Sequence, residues 1–201
     1  MSYGAPMDRP TLDFYEHRAA EWAAHLPHGY SPELDAFLDR LPPGAAILEL
    51  GCGDGREAAR MIERGFAVDP SDGTPAMARL ASERLGREVP VMDFSELDAL
   101  AAYDAVWCQA ALLHLAEDEL APVLARIHRA LRPGGWHWAS YKDGTGGDRD
   151  EGGRFFSYIP LARLEAAYRG AGPWSELGIE TRQGKAFFRG PTMWHSVLAR
   201  K

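Results

Sequence analysis

The sequence has few of the features that mark a secreted or membrane-spanning protein. Its 201 residues include only two cysteines, Cys52 and Cys108, which are too few for a disulfide framework and suit a reducing compartment. No apolar stretch approaches the length of a bilayer span, and residues 1–10 lack the basic and apolar regions of a signal peptide. We therefore expect a cytoplasmic protein that makes no contact with a membrane.

Positive charge is also scarce. The chain has 22 Lys and Arg residues against 29 Asp and Glu, a formal net charge of -7, and no run of basic residues. Because nucleic-acid-binding proteins usually carry a basic stripe, nucleic-acid partners are disfavoured. A hydrophobic content of 46% without repeats or low-complexity segments predicts one globular domain, residues 1–201.

The most informative stretch is a glycine-rich turn, Glu49–Gly55, between the apolar run Ala45–Leu48 and the helical pattern Arg56–Arg64. This order predicts a strand, a tight turn and the start of a helix. Alternate glycines allow positive φ angles and close approach of a ligand to the backbone. Free N–H groups at the helix start would favour a carboxylate or phosphate. We therefore predict that the turn holds a nucleotide.

The spacing of the glycines distinguishes between nucleotide-binding motifs. A dinucleotide fingerprint requires Gly-x-Gly-x-x-Gly, but Arg56 occupies the place of the third glycine, and a P-loop would require Gly-Lys-Ser/Thr. The pattern acidic-x-Gly-x-Gly-x-Gly, beginning at Glu49, resembles the first motif of the class I S-adenosylmethionine-dependent methyltransferases. This resemblance implies S-adenosylmethionine as cosubstrate. We predict no metal, because Asp143 is not part of a carboxylate cluster and His25 and His28 lack further ligands at zinc spacing.

Short apolar runs alternate with helical patterns after the turn, which predicts a parallel sheet with helices on both faces. The predicted strands are Ala45–Leu50, Phe66–Ser71, Val89–Met92, Tyr103–Gln109 and Trp136–Tyr141, and the helices between them are Glu57–Glu63, Pro75–Leu85, Ser95–Leu100 and Glu119–Leu131. A helix at Leu161–Arg169 precedes the runs Trp174–Thr181 and Met193–Arg200, which predict an antiparallel pair.

The resemblance implies a Rossmann-like three-layer α/β sandwich, a seven-stranded mostly parallel sheet with an antiparallel last strand. Residues 45–201 would form this core. Residues 1–44 would form helices over the cleft, Thr11–His25 and a short helix capped by Ser31.

Two acids compete for the place after the second strand, where relatives bind the ribose hydroxyls. We favour Asp72 over Asp69, because a strand of normal length precedes Asp72 and Thr74 and Pro75 can begin a helix after it. The alternative for Asp72 is a turn aspartate that closes the loop onto Thr74.

Asp93 follows the third predicted strand, where relatives carry an acid that accepts from the adenine amine. Met92 could cover the ring, and the N–H group of Phe94 could donate to it. Alternatively, Asp93 caps a short helix through Ser95 and Glu96.

The fourth strand resembles the motif that faces the methionine part of the ligand, with Cys108 and Gln109 at its end. His114 follows, at a place that packs near the adenine or sulfonium in relatives, although a histidine that caps or packs before the next helix is the alternative. The predicted cofactor-binding residues are Glu49, Gly51, Cys52, Gly53, Gly55, Asp72, Gly73, Met77, Met92, Asp93, Phe94, Cys108, Gln109, Leu113 and Tyr15.

The implied reaction is in-line transfer of a methyl group to a nitrogen, oxygen or sulfur atom of a small molecule, releasing S-adenosylhomocysteine. The protein would align the reactants, and His195, Tyr158 or His114 would orient the acceptor or take its proton. The predicted acceptor wall comprises Tyr15, Arg18, Trp22, residues 155–158 and 193–195 and the loop Asp143–Gly153, for which a lid and a disordered segment are both open.

Other functions remain open at this point. Tellurite-resistance-type and thiopurine-type methyltransferases are similar in size and plan. An aminopropyltransferase or a non-catalytic adenosyl-binding module would use the same motifs. Nicotinamide-dependent oxidoreduction is disfavoured by Arg56. We expect a monomer or a homodimer with a small-molecule acceptor.

Overall fold

The computed structural model describes residues 7–25, 29–185 and 191–201. Its helices and strands, in chain order, are α1 (Arg9–His25), α2 (Pro32–Leu38), β1 (Ala46–Leu50), α3 (Arg56–Glu63), β2 (Ala67–Ser71), α4 (Pro75–Leu85), β3 (Tyr103–Cys108), α5 (Glu117–Ala130), β4 (Leu131–Lys142), β5 (Gly146–Arg149), β6 (Phe155–Tyr158), α6 (Leu161–Ala171), β7 (Glu176–Lys185) and β8 (Pro191–Arg200). Two short 3₁₀ turns lie at Phe94–Glu96 and Leu112–His114.

The strands form one sheet, in which β2, β1, β3 and β4 are neighbours and run parallel. β8 pairs antiparallel with β4, and β7 pairs antiparallel with β8. The hairpin of β5 and β6 joins the end of β4. The predicted Rossmann-like fold with an antiparallel last strand is therefore confirmed. Pro70 is accommodated because β2 is an edge strand of this sheet.

Alternation along the strands divides the core between the two faces of the sheet. On β1, Ile47 belongs to the cluster formed by α2 and α3, whereas Leu48 and Leu50 belong to the cluster formed by α5 and α6. Trp107 stacks on Trp138 with ring centroids 4.0 Å apart. Each large side chain fully buried in this way contributes about 1.5–3 kcal/mol. The two clusters account for a sheet covered on both faces.

The structure differs from the sequence prediction in two segments. Val89–Met92 forms no strand and makes only one bridge, between Val91 and Asp72. The predicted helix Ser95–Leu100 is reduced to the 3₁₀ turn, because Val91 and Leu100 are exposed and offer no face to bury. The sheet described here has eight strands rather than seven.

The glycine- and aspartate-rich segment Asp143–Gly153 contains a strand, β5, rather than being a loop throughout. β5 pairs antiparallel with β6, from Gly146 opposite Tyr158 to Arg149 opposite Phe155. All four residues of β5 are exposed, so the segment lacks the apolar alternation that marks a strand in a sequence.

Helix α1 is bound to both sides of the opening above the glycine turn. The Asp8 carboxylate forms an ion pair with Arg149, with two contacts of 2.7 and 2.8 Å. The Thr11 hydroxyl accepts from the N–H of Phe155 at 2.8 Å, and Glu16 accepts from the N–H of Ala76 at 2.8 Å. α1 therefore covers the edge of the sheet where β1 ends.

Candidate active site

The glycines of the turn are required by both conformation and space. Gly51, Gly53 and Gly55 have φ angles of 72°, 57° and 75°. A Cβ at Gly51 would lie 2.6 Å from that of Ala111, and one at Gly55 would lie 3.0 Å from that of Ala81. Gly53 has no neighbour within 4 Å of that position. Gly55 thus allows α3 to pack on α4, and it does not line the cavity described below.

The backbone donors of the turn are engaged inside the protein. The N–H groups of Gly51 and Cys52 both donate to the carbonyl of Ser71 at 2.9 Å, and that of Gly53 donates to Asp72 Oδ2 at 2.9 Å. These three amides are therefore not available to an anion, and the prediction for the amides at the start of α3 stays a prediction. Instead, the acidic side chains of Glu49 and Asp54 in this turn line the cavity described below.

A cavity of about 460 Å³ lies between α1, the glycine turn and the ends of the strands, within the usual size range of small-molecule sites. The predicted residues that line it are Tyr15, Glu49, Gly51, Cys52, Gly53, Asp72, Gly73, Met77, Phe94, Gln109, Leu113 and His114. Most of the residues predicted from the motifs therefore meet at one place.

Glu49 is buried at the end of β1 and faces this cavity. Burial and the nearby carboxylates of Glu57 and Asp72 raise its pKa well above the usual value. Its Oε2 atom has no hydrogen-bond partner among the described residues. A buried acceptor in this state costs about 1–3 kcal/mol unless a donor reaches it. Glu49 thus offers a place for a donor group of a bound molecule.

Two further acids of the cavity wall were not predicted as site residues. Glu57 accepts from the N–H of Ser31 at 2.8 Å and from the indole N–H of Trp107, and burial raises its pKa to about 7. Asp54 is buried, yet its ion pairs with Arg56 and Arg84 hold its pKa below the usual value. In the sequence both acids resemble ordinary surface residues of a helix start.

Asp72, rather than Asp69, faces the cavity. Its Oδ1 atom accepts from the N–H of Thr74 at 2.9 Å, while Oδ2 accepts from Gly53. Asp69 accepts from the hydroxyl of Tyr103 at 3.2 Å and is not part of the cavity wall. Asp72 therefore closes the loop onto Thr74, as the alternative held, and also lies at the predicted place.

Asp93 occupies the capping position that was its alternative role. Its Oδ1 accepts from the N–H of Ser95 and its Oδ2 from the N–H of Met7, both at 2.8 Å, and Glu96 completes the capping box. Asp93, Met92 and Cys108 do not line the cavity. Cys108 is fully buried in the sheet, since its side chain follows the alternation of β3 into the core.

His114 lies at the end of a chain of hydrogen bonds. Its Nδ1 atom is 2.6 Å from the carbonyl of Phe155, so Nδ1 must carry the proton, and Nε2 then accepts from the hydroxyl of Tyr15 at 3.1 Å. Arg154 donates to the same hydroxyl at 3.1 Å. Burial lowers the pKa of His114 to about 4 and raises that of Tyr15. His114 is thus a neutral acceptor whose lone pair is engaged.

Two buried cations that the sequence analysis missed also line the cavity, Lys142 and Arg154. The Lys142 Nζ atom lies 3.3 Å from the ring centroid of Phe156, and Arg154 forms an ion pair of 2.6 Å with Asp150. A lysine at the carboxyl end of a central strand was a usable signal, because ligands bind there in such sheets. No sequence signal distinguished Arg154.

The other two candidate bases lie outside the cavity wall. His195 is buried, with Nδ1 2.8 Å from the hydroxyl of Thr181 and Nε2 3.1 Å from Asp143. Alternation along β8 turns Trp194 towards the cavity and His195 away from it. Tyr158, on β6, packs against Gly144. Neither side chain lines the cavity, so the role of His195 and Tyr158 towards the acceptor stays a prediction that this arrangement does not support.

The backbone at the end of β3 is strained beside the cavity. Ala110 has a φ angle of 48°, and its N–H donates to the hydroxyl of Ser140 at 2.9 Å. Such strain costs about 1–3 kcal/mol and often occurs at functional sites. The amide of Gln109 lies beside it, 3.4 Å from the same hydroxyl. The contacts with Ser140 thus hold Gln109 and Ala110 in the cavity wall.

Two further properties concern the whole of the described chain. No helix in residues 7–25, 29–185 and 191–201 has the length and apolar composition to cross a bilayer. Within the same ranges, no three His, Cys, Asp or Glu side chains converge as a metal site would require.

The fold is shared with solved methyltransferases. The structure of 1,6-didemethyltoxoflavin-N1-methyltransferase from Burkholderia thailandensis, with bound 1,6-didemethyltoxoflavin and S-adenosylhomocysteine, superposes with a TM-score of 0.71 at 25% identity, covering 98% of this chain and 92% of that one. Phosphoethanolamine N-methyltransferase 2 from Haemonchus contortus, in complex with S-adenosyl-L-methionine, gives a TM-score of 0.77 at 17% identity, covering 95% of this chain and 60% of that one. The fold is therefore that of the S-adenosylmethionine-dependent methyltransferases.

The sequence comparisons agree with the fold. A family model described as "Methyltransferase domain" matches residues 47–135. The ubiquinone biosynthesis O-methyltransferase of Paracidovorax citrulli is 31% identical over 120 residues, which cover 54% of this chain and 49% of that protein. The chain spans about half the length of the curated relatives it matches. Residues 47–135 therefore match a methyltransferase domain, within a chain that has the fold of the S-adenosylmethionine-dependent methyltransferases.

Proposed function

We propose that the protein transfers a methyl group from S-adenosylmethionine to a nitrogen, oxygen or sulfur atom of a small molecule. One methyltransferase domain over residues 1–201 would carry this activity, in the cytoplasm, as a monomer or homodimer and without a metal. In size and plan it would be comparable to the tellurite-resistance-type and thiopurine-type methyltransferases. The reaction forms a bond between the acceptor atom and the methyl carbon, while the sulfur–carbon electron pair stays on sulfur as S-adenosylhomocysteine.

The observation that carries this proposal is the unpartnered Oε2 atom of Glu49. It is a buried carboxylate oxygen at the glycine turn, facing a cavity of about 460 Å³. S-adenosylmethionine carries an ammonium group, and an N–H donor with positive charge is the partner that such an oxygen lacks. The acidic surroundings favour this group over a phosphate, which agrees with the engaged amides of the turn.

The remaining cavity residues supply binding and orientation in this proposal. Asp72, held by Gly53 and Thr74, would accept from the ribose hydroxyls. Phe94, Met77 and Leu113 are apolar and would enclose the adenine. The main contribution to rate would be alignment of the acceptor with the methyl group, as expected where the methyl group is already activated.

A second candidate is supported by relatives that are named for a different reaction. The protein named S-adenosyl-L-methionine-dependent Diels-Alderase iliD, from Neonectria sp., is 28% identical over 150 residues, covering 70% of this chain and 55% of that protein. A protein of this kind would bind the same compound and would catalyse a cycloaddition, in which two carbon–carbon bonds form from π bonds of the substrate and no group leaves. The two candidates differ in whether the methyl group of S-adenosylmethionine is transferred to the substrate.

A calorimetric titration with S-adenosylmethionine, S-adenosylhomocysteine and NAD tests the shared part of both candidates. We expect micromolar or tighter binding of the two adenosyl sulfur compounds and none of NAD. A screen of cell metabolites with methyl-labelled S-adenosylmethionine then separates the candidates, since only methyl transfer labels the acceptor. Binding of NAD alone would refute the proposal.

A further inference from the structure

A basic cluster forms part of the cavity, defined here as Lys142, Arg154, Asp150, His114 and Phe156. The Lys142 Nζ atom and the Arg154 Cζ atom lie 3.3 and 5.0 Å from the ring centroid of Phe156. The His114 ring lies 4.7 Å from the same ring, and both cations act on its pKa. The five side chains are therefore one group around Phe156.

The cluster contains two buried cations and one buried carboxylate. Arg154 and Asp150 form an ion pair of 2.6 Å with side chains only 4% and 8% exposed, so their charges oppose each other. Lys142 adds a second positive charge and is itself 5% exposed. By contrast, the carboxyl groups of Glu49 in the glycine turn, Glu57 in α3 and Asp72 after β2 line the other end of the cavity. The cavity is thus acidic at the glycine turn and basic at the cluster.

Tyr15 connects the two ends. Its hydroxyl bonds to Arg154 and His114 of the cluster, and the charges of Arg154, Asp72 and Asp150 all act on its pKa. The basic cluster and the proposed cosubstrate site therefore line the same cavity, with Tyr15 between them.

We propose that the methyl acceptor is a small organic anion, whose charged oxygen lies beside Lys142 and Arg154 and whose apolar body packs against Phe156 and Trp194. The identification of this anion as the methyl acceptor rests on the proposed function. The anion site itself does not depend on methyl transfer. Trp194 supports it, because its ring centroid lies 5.8 Å from the Lys142 Nζ atom and its side chain lines the cavity.

Physical reasons favour an anion over a neutral or cationic molecule. Removing an ammonium group from water is costly, and a second charge of opposite sign in the same low-dielectric site offsets this cost. The Arg154 guanidinium, whose fork already holds Asp150, would act on the anion through its charge. A cationic molecule would meet repulsion from Lys142 and would displace none of the existing bonds.

Calorimetry with matched aromatic probes tests the inference on protein saturated with S-adenosylhomocysteine. Benzoate, benzamide and benzylamine share a ring and differ in charge, and phenyl phosphate distinguishes a phosphate from a carboxylate site. We expect benzoate or phenyl phosphate to bind at least about tenfold more tightly than benzamide, and benzylamine to bind least. Equal affinities for benzoate and benzamide would overturn the inference.

Three variants assign the preference to the cluster. Lys142→Met should lower the affinity for the preferred anion at least about tenfold, whereas Lys142→Arg should keep it within about threefold. Lys201→Met is the matched control, because Lys201 donates to the carbonyl of Leu131 at the opposite end of β4. An unchanged preference in Lys142→Met would refute the role of the cluster. If that variant does not fold, the wild-type comparison of benzoate with benzamide decides.

The failure of this inference is distinguishable from that of the proposed function. Lys142→Met should leave the affinity for S-adenosylhomocysteine within about twofold, because Lys142 is not part of the glycine turn. If the wild-type protein does not bind S-adenosylhomocysteine, the proposed function fails. The benzoate and benzamide titrations on the free protein still decide whether an anion site exists.

Discussion

Asp72 accepts a hydrogen bond of 2.9 Å from the backbone N–H of Gly53, so the acid that follows β2 holds the glycine turn that follows β1. Its other oxygen accepts from the N–H and the hydroxyl of Thr74, at 2.9 and 3.0 Å. Since the two strands are neighbours in the sheet, one side chain fixes the loops of both.

Asp72→Ala should weaken S-adenosylhomocysteine binding at least about tenfold, because the proposed ribose acceptor and the support of the turn are lost together. Asp69→Ala should leave the affinity within about twofold, since Asp69 contacts Tyr103 outside the cavity. Calorimetry measures both. Equal losses in the two variants would mean that the acid was assigned to the wrong position.

Gly51→Ala should destabilise the protein more than Gly53→Ala. In both variants the left-handed backbone conformation lowers the free energy of unfolding by about 1–2 kcal/mol. Only the Cβ at residue 51 would also approach the Cβ of Ala111, at 2.6 Å. Urea denaturation measures the difference. The double variant Gly51→Ala with Ala111→Gly removes the clash and should recover part of the loss. Without such recovery, backbone strain alone would explain the result.

His114 should make the stability depend on pH. Its pKa is lowered by burial to about 4, against about 6.5 in the unfolded chain, so the unfolded state binds more protons between these values. This contribution is present above pH 6.5 and is lost as the pH falls to about 4. Glu57, whose pKa burial raises to about 7, has the opposite sign but is common to all variants compared.

The measurement is the unfolding free energy of the wild-type protein and of His114→Gln from pH 7 to pH 4. We expect a shallower fall in the variant, by up to about 3 kcal/mol over this range. His17→Gln, which removes an exposed histidine of α1, serves as the control and should follow the wild-type slope. An identical slope in all three proteins would contradict burial of a neutral His114.

His195→Gln and Tyr158→Phe should leave S-adenosylhomocysteine affinity and methyl transfer within about twofold, because neither side chain lines the cavity. His195→Gln should still lower stability by about 1–3 kcal/mol through its lost bonds to Thr181 and Asp143. Tyr15→Phe is the contrasting variant, since it removes a hydroxyl inside the cavity. Turnover of the acceptor found in the labelled-methyl screen provides the measurement, and a large loss in His195→Gln would restore His195 as a base.

The sequence predicted best where local chemistry alone decides the structure. Helix α4 has the predicted bounds, Pro75–Leu85, because Pro75 suits the first turn and Gly86 ends the helix with a φ angle of 65°. The order of the core elements and the antiparallel last strand followed from the spacing of apolar runs in the same way. These features depend on neighbours in the chain.

The acceptor side of the cavity could not be predicted in this way. Arg154 is covered by Phe14 and Trp22 of α1, whose ring centroids lie 4.7 and 4.4 Å from its Cζ atom. The sequence near residue 154 does not indicate these contacts. β5 pairs through its backbone alone. Trp194 and His195 were equal candidates until the register of β8 on β4 separated them. Tertiary pairing decided each of these cases.

Cys52 lines the cavity that we assign to a sulfonium compound. Burial, reinforced by the charges of Glu49 and Asp72, raises the pKa of this thiol far above its usual value. Only the thiolate is a strong nucleophile, so the side chain stays unreactive beside an electrophilic methyl donor. In the proposed function, the same acids that would attract the cosubstrate would thereby keep this thiol protonated beside it.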